Sequence, residues 1–214
     1  MGANTIAENS NRVLPGGRDP FWLFGYGSLI FKADFPYLEK RIAHIWGWER
    51  RFWQGSHDHR GTEEAPGRVV TLVEVDQAVC YGMAYRVSPD ILQHLDYREK
   101  NGYLRFETTL VFSNHTRDQG LVYIATPDNP AFLGPATEAA IARQISRSAG
   151  PSGLNRDYLV ELAAALRSIC APDAHVFEIE RQLNAIQQGR QPAAGPPQIP
   201  TGESRVYINE SSNG

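Results

Sequence analysis

Short runs in which β-branched and aromatic residues alternate with polar ones recur through the first part of the chain. They cover residues 21–25, 41–54 with a break at Gly47, 68–75, 79–87, 104–112 and 121–125. Gly, Pro, Asn or Asp residues, which punctuate strands, stand between most of them. Their spacing predicts a curled, mostly antiparallel sheet or small β-barrel. Elsewhere the period lengthens. Ser88 followed by Pro89 forms an N-cap and first-turn pair leading into Ile91, Leu92 and Leu95 at helical spacing, with an end near Tyr97. Thr137 is expected to cap a helix carrying Ile141 and Ile145 that stops at Gly150-Pro151. Asn155 is expected to cap a second, carrying Leu159, Leu162, Leu166 and Ile169, and Asp173 a third with Val176, Phe177, Ile179 and Leu183. The class read from this order is α+β, a small mixed barrel with helices packed on it. Residues 1–20 and 187–214 carry little core-forming pattern and are expected to be flexible tails around one domain at 21–186.

Composition narrows the partners. A chain of 214 residues that is 42% hydrophobic supports one sizeable core. The formal net charge of -3 provides no basic field to attract nucleic-acid phosphates or an anionic membrane surface. No apolar run reaches the roughly 18 residues of a membrane span, and the N-terminus lacks a secretory pattern, so the expected compartment is the cytoplasm. Cys80 and Cys170 each lie in an apolar stretch and are expected to be buried thiols rather than a disulfide framework. A small molecule is the expected partner.

Four segments carry candidate chemistry. In Leu23-Phe24-Gly25-Tyr26-Gly27-Ser28-Leu29 an apolar strand runs into two glycines, which let a ligand approach the backbone and let N–H groups converge on an anion or a carbonyl oxygen. Ile30 stands where a dinucleotide fingerprint requires its third glycine, and no nucleophile elbow can be written through Ser28. The same segment also reads as an ordinary structural turn. Around Glu99, the run from Asp96 to Tyr103 is either a solvated turn or a carboxylate partly desolvated by Leu95 and Tyr103, and so fit for general acid–base work. His57 and His59 lack the spacing of a helical metal pair, and no Cys or paired carboxylate completes a site, so no metal is assigned. A hydrolase built from Ser28 or Ser56 with His57 and Asp58 needs adjacent side chains to converge, which they seldom do. The fourth segment, residues 150–158, is helix punctuation that also brings Tyr158 toward whatever its turn faces.

Taken together and in order, FGYGSLIFKADFPY, RRFWQGSHDHRG, PGRVVTL, LDYREKNGY, TPDNPAFLGP and AGPSGLNRDYLVEL resemble the ChaC-type γ-glutamylcyclotransferases over residues 22–183. Phe31 and Asn101 depart from the Trp and Gly of that pattern. The resemblance implies a small α+β barrel-like domain that cleaves glutathione to 5-oxoproline and cysteinylglycine without a cofactor. It implies that Leu23, Phe24, Gly25, Tyr26, Gly27, Ser28 and Leu29 bind the γ-glutamyl group and that Glu99 is the acid/base. Arg51 and Tyr158 are further expected substrate contacts.

Overall fold

A computed structural model describes residues 4–12 and 19–189. Five strands form a closed barrel: β1 (Phe21–Gly25), β2 (Glu39–Ser56), β3 (Gly67–Val87), β4 (Tyr103–Phe112) and β5 (Arg117–Ala125), in spatial order β1-β3-β2-β4-β5. Every neighbouring pair is antiparallel except the closing one, where β1 runs parallel to β5 with Trp22 opposite Gly120 and Phe24 opposite Val122. Closure leaves no sheet edge. It also explains why β1 is apolar throughout. Trp22 and Phe24 enter one apolar cluster and Phe21 and Leu23 the other, so both faces of the strand are covered.

The two runs expected at 68–75 and 79–87 are one strand, β3. Its exposed middle, residues 74–77 with Gln77 at φ 60°, bows out opposite Gly47 of β2. The register slips between Trp46 and Trp48, and Gly47 takes φ 81°, which only glycine adopts freely. Because side chains alternate along a strand, this bulge exchanges the two faces of β2. Before it the inward positions are Ala43 and Ile45, and after it they are Arg50, Phe52 and Gln54.

Helices cover the barrel. α2 (Leu92–Arg98) packs Leu92 and Leu95 against Leu23, Leu121 and Tyr123. α3 (Glu138–Arg147), α4 (Asn155–Ser168) and α5 (Ala174–Gln187) bury Ile141, Ile145, Leu159, Leu162, Leu166, Val176, Ile179 and Leu183 against Phe24, Phe52 and Val70. Thr137 and Asp173 cap as expected, accepting from the backbone of Ala140 and Val176. Ser88 and Pro89 open a 3-10 turn ahead of α2, but the Ser88 hydroxyl donates to the Asp90 carboxylate instead of capping.

Three expectations are corrected. Asn155 is the first residue of α4, not its cap: its buried side chain accepts from Arg68 N and donates to Arg68 O, splicing the helix onto β3. α3 ends at Arg147, and the Gly-Pro-Ser-Gly segment instead turns a tight hairpin between β6 (Ala149–Gly150) and β7 (Gly153–Leu154). Cys170 is exposed, because it ends α4 in the left-handed region at φ 54°, which turns its side chain outward, while Cys80 is buried.

Residues 4–12, placed within a tail by their composition, are docked: α1 (Ile6–Ser10) lies on α2 and β4, and Asn9 is fully buried. The C-terminal segment beyond residue 189 lies outside the described residues.

Candidate active site

The glycine loop follows from the end of β1. After Gly25 the chain doubles back through Tyr26 and Gly27 into a 3-10 turn, Ser28–Ile30. A Cβ on Gly25 would fall onto the Cβ of Leu29, so the return is open only to glycine. A Cβ on Gly27 would stand 2.9 Å from Val70 Cγ2 and 3.0 Å from Tyr158 Oη, closer than real Cβ contacts allow. The N–H groups of Gly27, Ser28 and Leu29, residues that line the cleft, have no protein acceptor among the described residues. Arg50 fixes the loop from behind. Its guanidinium donates to the carbonyls of Tyr26 and Tyr81 and pairs with Asp173 at the start of α5, all with the side chain 1% exposed.

Glu99 stands at the C-terminal end of α2, its N–H bonded to Leu95 O at 2.9 Å and its side chain 17% exposed. Burial pushes its carboxyl above the ordinary range, while the adjacent Arg98 guanidinium holds it down. Arg98 Nε lies 3.1 Å from Glu99 Oε1, and its other nitrogens donate to Ser28 Oγ at 2.9 Å and pair with Asp34. Four phenols surround the carboxylate. Tyr26 donates to Tyr123 O at 2.8 Å, Tyr103 to Val70 O at 2.9 Å, and Tyr123 to Asp96 at 2.6 Å. Burial raises all four, Tyr158 to about 12, so each remains neutral near pH 7. Glu99 is the carboxylate lining this cleft, and burial moves it toward neutral pH.

Two spaces meet at Glu99. An inner cleft is lined by residues 24–29 together with Val70, Glu99, Tyr103, Tyr123 and Tyr158. A larger outer chamber of about 210 Å³ shares Ser28, Glu99, Tyr103 and Tyr158 with it and adds, among others, Lys32, Asp34, Asp58, Arg60 and Arg98. Its carboxylates are occupied: Asp34 by Arg98, Asp58 by Asn101. Lys32, held one turn after the loop by its N–H bond to Ser28 O at 2.7 Å, has no side-chain partner among the described residues.

Eight of the ten sequence-predicted positions therefore converge: Phe24, Gly25, Tyr26, Gly27, Ser28, Leu29, Glu99 and Tyr158 share one cleft. Leu23 and Arg51 do not line it. Leu23 points to the opposite side of β1, into the apolar cluster with Leu95 and Leu121. Arg51 pairs with Glu49 and lies 6.0 Å from the Trp53 ring, because the Gly47 bulge turns position 51 outward and position 50 inward. Val70, Arg98 and Tyr123 were not singled out from the sequence. Only Arg98 carried a signal, its adjacency to Glu99. In the histidine segment His59 bonds Ser152 Oγ at 3.0 Å, and among the described residues no group of three His, Cys, Asp or Glu lies together there.

Comparison with known proteins agrees with this architecture. A zebrafish protein named glutathione-specific gamma-glutamylcyclotransferase 1 is 44% identical over 179 residues, spanning 79% of this chain and 91% of its own. An Arabidopsis thaliana protein named gamma-glutamylcyclotransferase 2-3 is 45% identical over 177 residues, spanning 77% of this chain and 89% of its own. The crystal structure of a yeast γ-glutamyl cyclotransferase specific to glutathione superposes with a TM-score of 0.73 at 31% identity, covering 78% of this chain and 96% of the yeast one. The family described as ChaC-like protein matches residues 21–186, from the first barrel strand to the last helix, and the chain belongs to that family.

Proposed function

We propose that this protein is a glutathione-specific γ-glutamylcyclotransferase, which converts glutathione to 5-oxoproline and L-cysteinylglycine. The observation that carries the reading is the position of Glu99, a half-buried carboxylate shared by an inner cleft lined by the glycine loop and an outer chamber with room for a second half of the substrate.

The chemistry follows from that layout. The γ-glutamyl group occupies the inner cleft, its anionic oxygens on the N–H groups of residues 27–29. Its α-amine attacks its own side-chain amide carbonyl: a C–N bond closes a five-membered lactam, and the C–N bond to cysteine breaks. The amine, with an unperturbed pKa of about 7.7–8, surrenders a proton to Glu99, which passes one to the departing nitrogen. No water is consumed and no protein nucleophile is used, so the cleavage is of the lyase type. Because nucleophile and target belong to one molecule, a cleft that holds it folded can supply up to roughly 7–11 kcal/mol of the barrier. The dipeptide half extends into the outer chamber, where Lys32 is the cation free to meet its terminal carboxylate.

A cytosolic location belongs to the same reading. It is supported by the modest negative charge, by Cys80 and Cys170 being unpaired, and by the lack of any described helix long and apolar enough to cross a membrane.

The direct test is to incubate the purified protein with glutathione and a chelator and identify the products. Equimolar 5-oxoproline and cysteinylglycine are expected. Glutamate in place of 5-oxoproline would mean hydrolysis and would overturn the mechanism.

A further inference from the structure

Outside the family-matched region, residues 4–12 make a set of contacts that converge on one place, the turn bearing Glu99. α2 ends at Arg98, which leaves the last carbonyls of the helix without intrahelical partners. Just past the helix, Thr5 reaches the carbonyls of Glu99 and Lys100. Its N–H donates to Lys100 O at 2.9 Å, and its hydroxyl lies 3.0 Å from Lys100 O and 3.4 Å from Glu99 O. Asn4 bridges to Asn101. Four residues further on, Asn9 acts as an extra strand partner for β4: its amide donates to Tyr103 O at 3.0 Å and accepts from Arg105 N at 2.9 Å. Arg105 in turn reaches Asn9 O, and Arg12 donates to Arg105 O at 3.0 Å while lying 4.7 Å from the Phe106 ring centroid.

These bonds bracket the Glu99–Tyr103 turn from both ends. Within the turn one longer bond, Tyr103 N to Glu99 O at 3.3 Å, closes the backbone, Gln54 and Asp58 hold Asn101, and the chain passes through Gly102 at φ 91°. Both its terminal residues line the inner cleft. Asn9 is 0% exposed, and Thr5 6%, so the strap is packed in place rather than lying on the surface.

We infer that residues 4–12 are a positioning strap, in which Thr5 and Asn9 fix the backbone of the Glu99–Tyr103 turn and thereby aim the Glu99 carboxylate at the reacting amine. The inference rests on the cyclotransferase reading above. Among the described residues the strap reaches the cleft through that turn and, more remotely, through Arg105, which pairs with Asp96, the acceptor of the Tyr123 hydroxyl, so its loss is expected to act on the aim of Glu99 more than on substrate capture. A displacement on the order of 1 Å at a reacting group is enough to lower a rate by up to about 100-fold.

The test compares Asn9→Ala, Thr5→Val and Thr5→Ser in the full-length protein, with kcat and KM for glutathione corrected for the folded fraction. Asn9→Ala is expected to lower kcat about tenfold, with KM changed less than about twofold. Thr5→Val, which keeps the shape and removes the hydroxyl, is expected to lower kcat in the same sense, and Thr5→Ser to restore it. If Asn9→Ala does not fold, the Thr5 pair decides the question. Lowered thermal stability with wild-type kcat in the folded fraction would assign the strap a structural role only and overturn the inference, as would a rise in KM at unchanged kcat. A wild-type protein that makes no 5-oxoproline refutes the cyclotransferase reading, whereas an active wild type matched by all three variants refutes the strap alone.

Discussion

Arg98 and Glu99, neighbours in the chain, are also partners in space: Arg98 Nε lies 3.1 Å from Glu99 Oε1, while the same guanidinium reaches Ser28 Oγ at 2.9 Å. One cation thus ties the Glu99 carboxylate to the glycine loop, and it opposes the effect of burial on that carboxylate.

Removing the carboxylate tests its role. Glu99→Gln keeps shape and loses basicity, so 5-oxoproline formation from glutathione should fall by about 100-fold or more. The variant should also unfold at or above the wild-type temperature at pH 7. Burial raises the folded-state pKa above the unfolded one, so ionisation of Glu99 opposes folding as pH rises through that range, and glutamine removes the cost. Turnover near wild type would dismiss Glu99 as the base.

Arg98→Met should shift the pH profile. Burial raises the Glu99 pKa and Arg98 lowers it, so without the guanidinium the value climbs further. A base works in its deprotonated form, and the acid limb of kcat/KM should therefore move to higher pH. A limb that stays in place, or moves to lower pH, would show that Arg98 does not tune this group.

Gly27→Ala places a methyl group 2.9 Å from Val70 Cγ2 and 3.0 Å from Tyr158 Oη. Val70, Tyr158 or the loop must shift, at about 1–3 kcal/mol, and the cleft narrows at the substrate's expected place. The kcat/KM for glutathione should drop at least about tenfold, the equivalent of roughly 1.4 kcal/mol. Steady-state assays of the variant, with folding checked by circular dichroism, read this directly.

Lys32 is tested with the substrate rather than the enzyme alone. If it meets the terminal carboxylate, wild type should prefer glutathione to its C-terminal amide by about fivefold, the equivalent of ~1 kcal/mol for an exposed ion pair. Lys32→Met should abolish that preference, and a preference retained in the variant would place the carboxylate elsewhere.

The two adjacent arginines of β2 should behave oppositely in thermal unfolding. Arg50→Met strands Asp173 and frees the Tyr26 carbonyl, so a loss of about 3–5 kcal/mol is expected. Arg51→Met breaks a partly exposed pair with Glu49, worth about 0–1 kcal/mol. Equal losses would contradict the facing of the two side chains.

Local sequence was enough to place the strand ahead of the glycine loop, the Thr137 and Asp173 caps, and Glu99 at the end of a helix beside Leu95 and Tyr103. Each depends on residues within a few positions of one another, where side-chain period and cap chemistry act directly. It did not reveal which arginine faces inward. Alternation on β2 is reset by the three additional β3 positions opposite Gly47, a fact of pairing between strands and not of either strand alone. Nor did it reveal that Val70 and Tyr123 wall the same cleft as Tyr158, because they lie on β3 and β5 and meet the glycine loop only when β1 pairs in parallel with β5 and closes the barrel. The docking of residues 4–12 was hidden for a related reason. Asn9 is polar by composition, and what buries it is two hydrogen bonds to Tyr103 and Arg105, 94 and 96 positions away. Burial of a polar group depends on whether the fold supplies a partner, and only the tertiary structure decides that.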